Sequence, residues 1–188
     1  MINLTLVVFF ITYSFFLLVY GPLSDRWGRR NVLKIGLSVY IAASLLCAAS
    51  PNAPALIIFR MFQAVGAASA ASLVLAISKD VFAFQDREKI LAYLGVVIAF
   101  APMLAPVIGG WTLAFFSWWC IFFILAGFGL VAIWGVHRME ETLKHSLRTS
   151  KVSAVDNYLP LLRDGTYMAL VLVVALAIVP LFAFIAAS

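Results

Sequence analysis

The chain has 188 residues, 65% of them hydrophobic and 11% charged, with a formal net charge of +5. Soluble domains hold about 45–50% apolar and about 25% charged residues, so this composition excludes a water-soluble enzyme or binding module, which needs more polar surface. Disorder is excluded too, because it needs low hydrophobicity, and the fold class that remains is an all-α, multi-spanning membrane protein.

A helix crosses a bilayer with about 20 apolar residues. Six stretches meet that length: 3–20, 32–50, 55–78, 90–113, 118–137 and 166–187. The first has no basic flank before it and a basic flank after it, so it reads as a span and not as a cleavable leader. After it comes Gly21-Pro22-Leu23-Ser24-Asp25-Arg26-Trp27-Gly28-Arg29-Arg30. Gly21 and Pro22 are expected to stop the first span, and Gly28 to permit a tight turn. Asp25 is expected just before a new helix, where the N-terminal dipole and the nearby arginines favour a carboxylate. A charged loop obeying the positive-inside rule accounts for the same residues by count; their order is the more specific signal.

In the third span Arg60 is the one basic or acidic residue that lies away from the edges of the six stretches, Lys34 and His137 standing at the ends of theirs. It lies roughly 8 Å along the helix. Two readings stand: the side chain snorkels to the outer interface, or it faces a polar cavity and pairs with an acid or a substrate. Gln63 lies one turn on, on the same face, and favours the second. Gly66, Ala67, Ala70 and Ala71 continue a small-residue face open to a close neighbour. No acid in the other spans can serve as the partner of Arg60.

The fourth span carries Ala101, Ala105 and Gly109 at every fourth position, with Pro102, Pro106 and Gly110 beside them. The prolines bend a helix and the small residues admit a neighbour. An ordinary packed span is the plainer reading. The fifth span ends at His137, and His145 follows in the next segment, both suited to simple interfacial roles. The segment 138–163 mixes basic residues with Val152, Val155, Tyr158 and several leucines, which fits either an amphipathic surface helix or a flexible linker.

Twelve of the thirteen basic residues fall in 21–34, 78–89 and 138–163, and the turns between the other spans hold none. This alternation assigns the three basic segments to the cytoplasm. It also explains the positive charge by topology and so argues against nucleic acid as a partner. Cys47 and Cys120 lie in apolar runs far apart, a weak basis for a disulfide. No cysteine or histidine cluster has metal-ligand spacing. No catalytic triad, nucleotide loop or paired carboxylates lie within the spans, so an enzyme is not expected.

Together these residues resemble the major facilitator superfamily. Gly21–Arg30 is similar to its loop motif between the second and third helices. Arg60, Gln63 and Gly66 resemble its fourth-helix motif, and Ala105-Pro106-Val107-Ile108-Gly109-Gly110 its fifth-helix antiporter motif, with alanine for the usual first glycine. The wording resembles most the bicyclomycin-resistance (Bcr/CflA) branch of drug:proton antiporters. That branch also has a loop similar to Lys79-Asp80-Val81-Phe82 and a Glu-Thr-Leu like Glu141-Thr142-Leu143, here after Glu140 where proline is usual. Relatives tend to carry glycine and glutamine at Phe16 and Leu17, a change expected to alter the cavity wall.

The resemblance implies a major-facilitator-type helical bundle in which the six spans are helices two to seven of twelve. Residues 1–137 would be an incomplete N-terminal bundle of five spans, 138–163 a cytoplasmic central loop, and 164–188 the first span of the C-terminal half. The chain is thus expected to be an internal piece of a longer transporter or a truncated reading frame. The implied function is proton-coupled multidrug efflux by alternating access in the bacterial inner membrane. Its partners would be the bilayer, protons, a small hydrophobic or cationic drug-like substrate and the missing transporter helices, and it would need no cofactor beyond the proton gradient. Asp25, Arg26, Arg29 and Arg30 with Gly21 and Gly28 would form a conformational latch. Arg60, with Gln63 and Gly66, would sense a nearby carboxylate. The helix of Ala101, Pro102, Ala105, Pro106, Gly109 and Gly110 would pack tightly and block leak. Another facilitator transporting a small metabolite, and a non-transporting remnant, are the alternative readings.

Overall fold

In a computed structural model of the chain, residues 2–82, 84–142, 164–173 and 176 are described. Every regular element among them is helical: α1 (Ile2–Trp27), α2 (Arg29–Ala48), α3 (Ala53–Val81), α4 (Phe84–Phe115) and α5 (Cys120–Arg138). All five are long and apolar enough to cross a membrane. Helices are the expected solution, since a lipid-facing backbone must satisfy its own hydrogen bonds. The chain divides into two compact units, 1–148 and 149–188. In the second unit residues 165–173 are helical. Asp164 caps them, accepting from the Thr166 amide at 2.9 Å, as a short acidic side chain does at a helix start. The rest of the sixth expected span and the segment 143–163, with its choice between surface helix and linker, lie outside the described residues.

Two expected boundaries are corrected. Gly21 and Pro22 do not stop the first helix; α1 runs through them to Trp27. Long membrane helices tolerate an internal proline when nearby hydroxyls bond the backbone around it. Here Ser24 Oγ donates to the Gly21 carbonyl at 2.8 Å and Ser72 Oγ, from α3, to the Leu17 carbonyl at 3.4 Å. Asp25 therefore sits in the last turn of α1, three residues before Gly28. Likewise Lys79, Asp80 and Val81 belong to α3 and not to a loop. At the other end α3 begins early because Asn52 caps it, accepting from the Ala55 amide at 2.9 Å, with Pro54 in the first turn. Both choices suit a helix start.

The core of the first unit joins four helices: Tyr20 of α1, Val32, Leu33 and Leu37 of α2, Ala68 and Leu73 of α3 and Val136 of α5. Phe16 and Leu17, half-buried, pack against this core. The α2–α3 contact is the closest in the bundle. A Cβ on Gly66 would lie 2.5 Å from the Tyr40 amide nitrogen and 2.6 Å from the Gly36 carbonyl oxygen. A Cβ on Gly36 would lie 2.0 Å from Ser69 Oγ. Two glycines and a serine thus let the backbones touch, the usual device where water does not drive helices together.

α4 is different. Its rows of small residues were expected to meet a close neighbour, yet beyond the adjacent backbone of α4 itself no described atom lies within 4 Å of a Cβ built on Gly109 or Gly110. Ala101, Ala105 and Gly109 border an apolar cleft of about 320 Å³ shared with Ile121, Leu125 and Phe128 of α5. The neighbouring row of Pro102, Pro106 and Gly110 stays exposed apart from it. Spacing puts small residues on one face; whether a second helix occupies that face is a tertiary matter.

Candidate functional site

The expected site residues of α1, α2 and α3 fall into two clusters at different depths. The first is the charged end of the bundle, where α1 meets α2. Gly28 separates the two helices alone. Its φ of +91° is a conformation side chains oppose. α1 closes with its amide bonded to the Ser24 carbonyl at 3.0 Å, and α2 opens with its carbonyl bonded to the Val32 amide at 3.2 Å.

Two arginines that follow are drawn in different directions. Arg29 turns toward α1 and α3: it bonds Ser24 Oγ at 3.1 Å, pairs with Asp25 at 3.1 Å, and holds Asp80 at the end of α3 through its Nε. Arg30 turns toward α5, donating to the Val136 carbonyl at 3.3 Å and the His137 carbonyl at 2.7 Å. Those carbonyls stand in the last turn of α5, where a cation is favoured. The chain beyond α5 returns the bond. Glu141 Oε1 accepts from the backbone amides of Arg29 at 2.9 Å and Arg30 at 3.4 Å. A carboxylate thereby caps α2, whose own cap residue, glycine, has no side chain to do it. A Cβ on Gly28 would lie 2.6 Å from Glu141 Oε2, so the glycine also makes room for the cap.

The structure brings Asp25, Gly28, Arg29 and Arg30 together at this turn. Gly21 sits one turn back in α1, bonded to Ser24, and Arg26 and Trp27 line a separate groove with α2. Asp80 and Glu141 were missed as site residues. Their signal was present, since both stand in the short stretches that resemble one transporter branch, but nothing local tells that they reach a turn 51 and 112 residues away. Glu141→Ala is expected to cost about 1 kcal/mol of stability, the usual worth of a helix cap, and Glu141→Gln less, because an acceptor remains. Thermal unfolding of the purified protein in detergent checks the order.

The second cluster is at Arg60. Arg60 Nη1 donates to Gln63 Oε1 at 3.2 Å, Gln63 Nε2 to Ser44 Oγ at 2.8 Å, and Ser44 Oγ to the Tyr40 carbonyl at 2.7 Å. Gln63 and Ser44 are fully buried, so the chain of bonds satisfies groups that would otherwise be costly. The guanidinium carbon also lies 4.9 Å from the Phe122 ring centre and 5.7 Å from that of Phe9, a cation–π arrangement. None of these partners is a carboxylate. Arg60 thus points among α1, α2 and α5 and does not snorkel outward. Gln63 shares its face as spacing implied, and Gly66 serves the α2–α3 contact one turn on. The aromatic members, Phe9 and Phe122, were not separable in sequence from the other phenylalanines.

The antiporter-like residues of α4, from Ala101 to Gly110, join neither cluster.

Comparison with known proteins places these motifs in a family. The chain is 35% identical over 180 residues to the MFS-type transporter YdgK of Bacillus subtilis, covering 93% of this chain and 44% of that protein. It is 31% identical over 161 residues to a methylenomycin A resistance protein of the same organism, 84% of this chain and 34% of the relative. It is 32% identical over 123 residues to the multidrug resistance protein MdtL of Klebsiella pneumoniae, 65% and 31%. The chain therefore spans less than half the length of these curated relatives. The sequence profile of the Major Facilitator Superfamily matches residues 1–188, and with its helical bundle, its glycine-hinged charged turn and its arginine-bearing third helix the chain belongs to that superfamily.

Proposed function

We propose that the protein acts as a proton-coupled exporter of drug-like molecules, of the bicyclomycin-resistance type, in the bacterial inner membrane with its charged end toward the cytoplasm. The observation that carries this reading is Arg60, an intramembrane cation built into a buried polar chain and flanked by two aromatic rings. Such a charge is expensive to keep in a membrane and is retained for function. The named drug-resistance relatives support the substrate class.

In this mechanism Arg60 holds a carboxylate of the transport site in its ionised form, and an incoming proton or cation competes for that carboxylate. Phe9 and Phe122 offer apolar and cation-binding faces beside it. The Asp25–Arg29–Asp80 cluster and the Glu141 cap hold the charged end as one body during alternating access. The proton gradient supplies the energy, and no cofactor takes part.

The test is drug movement in proteoliposomes of the full transporter under an imposed pH gradient. Gradient-driven accumulation is expected. Arg60→Lys keeps the charge but loses the planar stack, worth about 1–2 kcal/mol, and is expected to slow coupled transport roughly tenfold. Drug movement indifferent to the gradient overturns the proposal.

A further inference from the structure

Beside the Arg29 and Arg30 cluster, Arg26 and Lys34 mark a second charged feature of the same turn. With Trp27, Asn31 and Ile35 they line an open groove of about 460 Å³ where α1 ends and α2 begins. Asn31, Lys34 and Ile35 share one face of α2 by their spacing, and Arg26 and Trp27 close the groove from the last turn of α1. The lining is divided in character. Two cations and an amide stand beside Trp27 and Ile35, which are 58% and 56% exposed.

Both helices are apolar enough to span a bilayer, so a groove at their junction lies at headgroup depth. Tryptophan favours that depth, and the long stem of Lys34 lets its ammonium reach it from within the helix. A soluble anion would use the cations and leave the apolar side idle. A molecule with a phosphate at one end and hydrocarbon next to it uses both.

We propose that this groove binds the headgroup of an anionic phospholipid. The phosphate oxygens accept from Arg26, Lys34 and the Asn31 amide, and the first acyl carbons lie against Trp27 and Ile35. The site joins the two helices whose turn carries Gly28, so an occupied groove braces that turn from the lipid side. The proposal does not depend on what the protein transports.

The test is native mass spectrometry of the purified full chain released from detergent micelles carrying either phosphatidylglycerol or phosphatidylcholine. One phosphatidylglycerol is expected to stay bound under conditions that strip phosphatidylcholine. The double variant Arg26→Gln/Lys34→Gln is expected to lose that retention about thirtyfold, roughly fivefold per basic residue. Equal retention of the two lipids by the wild-type chain overturns the proposal without any variant. Unchanged retention in the double variant overturns it as well. Displacement of the lipid by millimolar inorganic phosphate also overturns it, since the groove is then a simple anion site.

Discussion

Arg29→Ala is expected to destabilise the protein by up to about 3 kcal/mol, the lower end of the range for removing one partner of a buried ion pair, because the Arg29–Asp80 pair is part-buried. Arg29 and Asp80 are 12% and 19% exposed at their side chains, so the mutation leaves a carboxylate poorly hydrated and without its cation. Asp25, 54% exposed, is hydrated by itself, and its pairing with Arg29 is worth under about 1 kcal/mol. The two acids therefore predict different double-mutant cycles. Arg29 and Asp80 should couple strongly and Arg29 and Asp25 weakly, read from unfolding in mixed micelles. Equal coupling would place the weight of the cluster on the surface pair and contradict the geometry.

Gly66→Leu is expected to cost at least about 3 kcal/mol, the upper part of the overpacking range, or to prevent folding. The atoms a side chain would meet are the Tyr40 amide nitrogen and the Gly36 carbonyl oxygen. Backbone cannot swing aside as a long side chain does, so α2 and α3 must separate, and the Gln63–Ser44 bond at 2.8 Å separates with them. Loss of transport in Gly66 variants is thus expected to track loss of stability. Gly109→Ala and Gly110→Ala are the contrast. With open space at both positions, these changes should be neutral or stabilising within about 1 kcal/mol, since alanine prefers the helix. A penalty above about 1 kcal/mol at Gly109 or Gly110 would mean that another helix occupies that face of α4. Thermal shifts of the three variants in one detergent decide between these outcomes.

The amino-acid sequence by itself determined the membrane class, the first five spans, the place of Arg60 within a span and its shared face with Gln63. These follow from local rules: lipid requires continuous apolar helices, and a helix sets residues three and four apart side by side. Tertiary structure alone decided the rest. Pro22 reads locally as a stop, yet α1 passes it, with Ser24 and the α3 residue Ser72 bonded to carbonyls of the preceding turn. Gly66 announces a small-residue face, but only the fold shows that Gly36 and Tyr40 lie against it. Asp80 and Glu141 read as ordinary charges between spans until four helix ends are brought to one level. There the half-charges of α2 and α5 are exposed together, and each is met by the opposite charge from the other's end of the chain: Glu141 on the α2 amides, Arg30 on the α5 carbonyls. Which helix ends meet is a property of packing between segments up to 112 residues apart, and no periodicity within a segment encodes it.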